Sequence, residues 1–338
     1  MLKFERKVRS LVTGSVAVAS LAMMGLCVTG AAAAAEQWRA YTYNAVATVT
    51  AVKGLNALFE TIAKETGGEL TVRLNLGGTL PIAATNITQA VSDNIVQLGD
   101  DAFFVGSVPV GGIVRLPLFI RTVGDFNKAW DAVAPHLKAE YAKKDIVVLG
   151  KYVFPYNTMW SNKKLTSLAD IAGQKIRVIS PEQAELIKLF GGTPITLGTS
   201  EVAAAIDRGV IDGALTASSG YGYVWRDLLK YNYRLNVSFI DSLILVNKSA
   251  WDKLSSQVRQ KVQAAVDDAA VKITAAMAEE EDSLTQKLAA GGIVVTIPTK
   301  EEVAQGEAKM AAYWASWPNT RGPVAKEAMD KVRAVVGR

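Results

Sequence analysis

Side chains that act as nucleophiles or proton shuttles are scarce in these 338 residues. His136 is the single histidine, so a Ser-His-Asp triad has one candidate base. It stands in Ala134-Pro135-His136-Leu137, on the same helical pattern as Trp130, where a surface or packing role is expected. No serine occupies a Gly-x-Ser-x-Gly elbow. There is no Gly-x-x-x-x-Gly-Lys-Ser/Thr loop and no well-placed Gly-x-Gly-x-x-Gly. One histidine, one cysteine and no Asp-x-Asp-x-Asp-Gly loop make no metal constellation, and no cofactor is expected. The run Glu279-Glu280-Glu281-Asp282 reads as a solvated helix face. Carboxylates are abundant, so a secreted hydrolase built on a carboxylate pair stays open as an alternative.

Arg177 is the side chain with a chemical task to offer. It interrupts the apolar stretch Ile176-Arg177-Val178-Ile179, a β-type segment directly before a helix. A guanidinium presents paired donors in a planar fork that matches a carboxylate. A cleft that closes over such a pair excludes water and strengthens it. The competing reading pairs Arg177 with a carboxylate of the protein itself, such as Asp212.

The elements that must position these groups follow from hydrophobic period and punctuation. Residues 1–35 read as a cleaved signal peptide: Lys3, Arg6, Lys7 and Arg9 precede an apolar run, and Ala33-Ala34-Ala35 precedes Glu36. Its removal takes away the only cysteine, Cys27, and a net charge of +3, so the formal +5 falls to +2. A mature chain of that charge gives no electrostatic case for nucleic acid. No later stretch is long and apolar enough to span a bilayer. Trp38–Val49 reads as a strand and loop, Val52–Thr66 as a helix stopped by Gly67-Gly68, and Glu69–Leu74 as a strand. A short helix over Asn86–Asp93 and a buried strand over Ile95–Leu98 follow, so an α/β domain with parallel strands is expected. Asp125–Lys144 reads as a helix and Ile146–Val153 as a strand. A second α/β series runs from Lys175 to Leu215, with a strand at Ser242–Val246. Ser255–Ala290 carries one long helical pattern, capped by Ser255 and closed by Gly291-Gly292. It reads either as one helix lying across two lobes or as two helices with a break.

Several motifs then fall in order. Gly173-Gln174-Lys175-Ile176-Arg177-Val178 is followed by Phe190-Gly191-Gly192-Thr193-Pro194, by Ser200-Glu201-Val202 through Ile206, and by Gly209-Val210-Ile211-Asp212-Gly213-Ala214. Upstream stand Thr66 to Leu70 and Gly78-Thr79-Leu80-Pro81; downstream stands Val246 to Leu254. Together they resemble the substrate-binding subunits of tripartite ATP-independent periplasmic (TRAP) transporters, the dicarboxylate-type family, over nearly the whole mature chain. The resemblance implies an α/β, two-lobed periplasmic binding protein with a long helix spanning both lobes. It implies lobe I from 36–155 plus 243–285 and lobe II from 156–242 plus 286–338. It implies capture of a small organic acid in the periplasm and delivery to membrane permease subunits, without enzymatic turnover. A monomer is expected, and a sensing role toward a membrane receptor is the alternative.

The family's central arginine falls on Arg177. Where many relatives carry a second arginine, this chain has Asn157 or Thr158, and the family's Glu-Asn after Asp212-Gly213 is replaced by Leu215-Thr216. Lys163, Lys164 and Arg226 are the nearby cations available to replace that arginine. With one cationic partner fewer, a monocarboxylate with an apolar or aromatic body is expected, because a second buried carboxylate without a partner is costly. Thr216, Asn157, Thr158, Tyr43 and Asn44 are the expected polar contacts. Trp160 and Tyr221, among the aromatics Tyr156, Tyr223 and Trp225, are the expected cover for the ligand body.

Overall fold

Two sheets, each wrapped by helices, divide the chain. The structure is a computed structural model describing residues 35–338; the expected signal segment, apart from Ala35, lies outside the described residues. In chain order the elements are β1 (Glu36–Thr42), α1 (Thr50–Glu65), β2 (Leu70–Asn75), α2 (Ile87–Ser92), β3 (Leu98–Asp101), α3 (Val123–Ala142), β4 (Ile146–Phe154) and β5 (Asn157–Ser161). There follow β6 (Lys175–Val178), α4 (Pro181–Leu189), β7 (Thr193–Thr196), α5 (Val202–Asp207), β8 (Gly213–Ala217), α6 (Ser218–Val224), β9 (Tyr231–Tyr233) and β10 (Ile240–Asn247). The last are α7 (Lys248–Lys253), α8 (Ser256–Ala290), β11 (Val294–Thr296), α9 (Lys300–Ser316) and α10 (Pro323–Val336).

The first sheet has the order β2-β1-β3-β10-β4, the second β11-β9-β5-β8-β6-β7. Strands joined through helices, β1 with β2 and with β3, and β6 with β7 and with β8, pair in parallel. That is what a strand-helix-strand crossover requires. Strands that arrive from the other lobe, β5 and β10, pair antiparallel with their neighbours. The chain therefore passes between the lobes at Pro155-Tyr156, between β9 and β10, along α8, and at Trp317.

Helix α8 is unbroken over 35 residues, about 50 Å at ~1.5 Å per residue. Ser255 caps it by accepting from the Val258 amide at 3.2 Å. Its buried positions Val258, Val262, Val266, Ala269, Ile273 and Met277 recur every three or four residues and enter the first lobe's core. Leu288, further along, belongs to a cluster of the second lobe. The same stripe corrects the reading of the acidic run. Glu279 and Asp282 are exposed, but Glu281, one turn after Met277, is buried and pairs with Arg234 at 2.9 Å.

Packing also returns the chain's end to the first lobe. Ala325, Ala328, Met329 and Val332 of α10, with Trp317, join the first core and lie against α3, whereas the sequence partition places 286–338 with the second lobe. Strand β3 is displaced toward the C-terminus relative to expectation. Ile95 is half exposed, and the strand is Leu98-Gly99-Asp100-Asp101, with both aspartates buried.

Candidate functional site

Arg177 is the third residue of β6. Its Cα partner on β8 is Ala214; two residues on, Thr216 pairs with Thr158 of β5. Paired residues share a face and side chains alternate, so Arg177, Thr216 and Thr158 rise from one face of the second sheet. Arg177 is 2% exposed. Its Nε donates to the Leu197 carbonyl at 3.0 Å and one Nη to Thr199 Oγ1 at 3.4 Å. Its guanidinium carbon lies 5.5 Å from the Phe103 ring centroid, which belongs to the first lobe. Among the described residues no carboxylate lies within ion-pair distance of it. Asp212 pairs instead with Lys163 at 2.9 Å and accepts from the Lys175 amide at 2.8 Å. Against burial, which acts upward, those donors hold the Asp212 carboxyl below its ordinary range. Burial lowers the Arg177 guanidinium to about 10, which leaves it cationic at neutral pH.

The facing wall comes from the first lobe. Tyr43 and Asn44 follow β1 and are buried. Asn44 Oδ1 accepts from the hydroxyl of Tyr221, on α6 of the second lobe, at 2.7 Å. Burial raises the hydroxyls of both Tyr43 and Tyr221, and the Asp100 charge adds to it, so both stay neutral hydrogen-bonding groups. Helix α6 is itself fixed at its start. Glu281 accepts from the Ser219 amide at 2.8 Å and from Ser219 Oγ at 2.9 Å, and the Glu281–Arg234 pair lies behind it. The lobes also meet elsewhere: a Cβ on Gly78 of the first would stand 3.2 Å from Ser200 of the second.

Arg177, Tyr43, Asn44 and Tyr221 are thus gathered in one place, with Thr158 and Thr216 on the sheet face beneath. Thr158 already accepts from Asn232 Nδ2 at 3.2 Å. Asn157 points to the other face, by strand alternation, and donates to Ser238 Oγ at 3.1 Å. Trp160 shares the Arg177 face but is fully buried among Val202, Ile206 and Trp225 of the second lobe's core. A Cβ at Gly222 would overlap its indole, so α6 seals the ring from the cleft. Tyr156 and Tyr223 are exposed. Lys163 is engaged by Asp212, Lys164 by Asp170 at 3.5 Å, and Arg226 donates to the Tyr223 carbonyl at 2.7 Å on the surface. Sequence reasoning missed Asp100, Phe103 and Thr199. The signal for Asp100 was an aspartate pair directly after the apolar Val96 and Leu98, where a buried strand was already expected. Grooves of about 410 and 420 Å³ flank α8, but neither is lined by Arg177 or its neighbours. The buried cation without an ion-paired carboxylate makes this place the candidate site on chemical grounds.

A family model described as bacterial extracellular solute-binding protein, family 7, matches residues 42–320. An ectoine/5-hydroxyectoine-binding periplasmic protein of Ruegeria pomeroyi is 28% identical over 261 residues, 74% of this chain and 74% of its own. Among solved structures, an extracytoplasmic solute receptor of Bordetella pertussis binding pyroglutamic acid superposes with a TM-score of 0.82. Its identity is 24%, and the match covers 88% of this chain and 100% of that one. A TRAP periplasmic solute-binding protein of Sulfurospirillum deleyianum with bound succinate superposes with a TM-score of 0.80 at 23% identity, covering 89% of this chain and 99% of that one. These likenesses fit the two-lobed α/β architecture with its long shared helix.

Proposed function

The chain belongs to family 7 of the bacterial extracellular solute-binding proteins, the substrate-binding subunits of TRAP transporters, and on that premise we propose that its cleft captures a small monocarboxylate in the periplasm for a membrane permease. Such a protein binds and releases its ligand and is not an enzyme. One observation carries the ligand class: Arg177 is buried, cationic and without a carboxylate of the protein. A ligand carboxylate would take the donors left over from Leu197 and Thr199, in the fork geometry that suits it. No second buried cation accompanies Arg177 at this place: Lys163, Lys164 and Arg226 are held elsewhere. A second carboxylate would therefore be desolvated without a charged partner. The remaining groups are neutral, the hydroxyls of Thr158, Thr216 and Tyr43. With the Phe103 ring they favour a compact body that is apolar or carries neutral hydrogen-bonding groups.

Calorimetric titration of the mature protein tests this reading. Pyroglutamate and mandelate are expected to bind more tightly than succinate and malate. Tighter binding of the dicarboxylates would overturn the monocarboxylate assignment. Equal affinities in wild type and Arg177→Ala would overturn the site.

A further inference from the structure

The side-chain amide of Asn44 lies between two groups that treat its two ends differently. Its Nδ2 donates to Asp100 Oδ2 at 3.1 Å and to Thr42 Oγ1 at 2.9 Å. Its Oδ1 accepts from the Tyr221 hydroxyl at 2.7 Å. Thr42 Oγ1 accepts from the Asn44 backbone amide and from Nδ2, so its own proton goes to Asp100 Oδ2; that oxygen, an acceptor, meets the NH2 end of the amide and turns the carbonyl end away. Asp100 accepts at both oxygens: from Tyr152 at 2.9 Å to each, from Thr42 Oγ1 at 2.6 Å, and from Ser242 Oγ. Burial raises its carboxyl, and the four side-chain donors favour the ionised form. Asp100 sits in β3, against β1 and β10, and Asn44 follows β1, so both belong to the first lobe.

The orientation matters because of what faces Tyr221. The Ala45 backbone N–H lies against its hydroxyl oxygen, so the proton of that hydroxyl must go to an acceptor elsewhere. Asn44 Oδ1 is that acceptor. A reversed amide would set two donors against one oxygen and leave the hydroxyl proton with no acceptor.

We propose that Asp100 is a positioning residue for ligand capture: it fixes the Asn44 amide so that Tyr221 can clasp the first lobe, and so sets how readily the lobes close over Arg177. The proposal rests on the reading of the Arg177 cleft as the ligand site. No ligand contact is required of Asp100, because its own donors already occupy both oxygens.

The experiment measures closure directly, in the mature protein, by spin-label distances between cysteines placed at exposed Thr85 and Arg208, one on each lobe. Distances are recorded without ligand and with pyroglutamate as the probe. Asp100→Asn is expected to lower the closed-to-open ratio about five- to tenfold, as Tyr221→Phe does. In the Tyr221→Phe background Asp100→Asn should add nothing. The exchanged pair Asn44→Asp/Asp100→Asn keeps one carboxylate and one amide and restores an acceptor for Tyr221, so its closed population should return toward wild type. Full additivity of Asp100→Asn and Tyr221→Phe overturns the proposal, as does an exchanged pair that folds and stays open. If Asp100→Asn does not fold, the exchanged pair decides alone; failure of both to fold overturns the proposal, leaving Asp100 a purely structural role. Variants that differ as expected without ligand, while pyroglutamate changes nothing, count against the Arg177 reading and in favour of the clasp. A wild type that stays open under both conditions overturns both.

Discussion

Removing the charge of Arg177 while keeping its bulk should weaken ligand binding and leave the stability of the empty protein nearly unchanged. Arg177→Met does this, because methionine fills much of the space of the arginine stem with no charge. The lowering of the guanidinium to about 10 corresponds to about 3 kcal/mol, the net cost of holding the cation out of water. The ligand-free protein bears that net cost with no ion-paired carboxylate, Glu201 acting only from a distance. Methionine removes it and gives up the hydrogen bonds to Leu197, worth about 1.5–3 kcal/mol for a charged donor, and to Thr199, longer and worth about 1 kcal/mol. The two nearly cancel, and the net expectation is a ligand-free variant within about 1 kcal/mol of wild type. A ligand carboxylate paired with Arg177 should recover energy of the same order as the burial cost, so affinity should fall on the order of a hundredfold. Denaturant unfolding of the ligand-free proteins gives the first quantity, and calorimetric titration with pyroglutamate and mandelate gives the second. A structural ion pair would behave oppositely: breaking one leaves a partner charge buried and costs about 3–5 kcal/mol. A destabilisation of that size, or an affinity within about threefold of wild type, would refute the reasoning.

Two further expectations concern the walls of the site. Gly222→Ala forces a methyl into the Trp160 indole; the variant should lose about 1–3 kcal/mol by thermal unfolding and bind ligand more weakly as α6 shifts, and an unchanged melting temperature would contradict the close packing. Burial raises the Asp101 carboxyl from 3.8 to about 6, against hydrogen bonds from Thr88 and the Phe103 amide. The folded state therefore holds a proton that the unfolded chain releases near pH 4, so this stabilisation is present below about pH 4 and lost as pH rises through 6. Asp101→Asn lacks that titration, so its stability relative to wild type should improve by about 2 kcal/mol between pH 4 and pH 7, by denaturant unfolding at both values; a constant difference would show that Asp101 does not titrate there.

Much of the architecture was legible in the order of residues because local periodicity carries it. The stripe of α8, its Ser255 cap and the Gly291-Gly292 stop marked a long helical pattern, though not whether it was broken, and Ile176-Arg177-Val178 marked a buried strand with a cation in it. The missed elements lack such signals. Strand β5 is buried on both faces, so its residues show no alternation, and α6 contains two glycines among tyrosines, a composition that argues against a helix. The sequence by itself determined that Arg177 would be buried and suited to a carboxylate, since a guanidinium inside an apolar strand must meet an acceptor. It left open which acceptor, and Asp212 was as good a choice as a ligand. Only the tertiary structure removed Asp212 from the choice, by bringing Lys163 and the Lys175 amide to it and leaving Arg177 with a carbonyl, a hydroxyl and an aromatic ring. The same holds for Trp160 and Asn157. Sequence gave their types, but which face of β5 each occupies, and whether α6 covers it, follows from strand register and long-range packing, which adjacent residues do not encode.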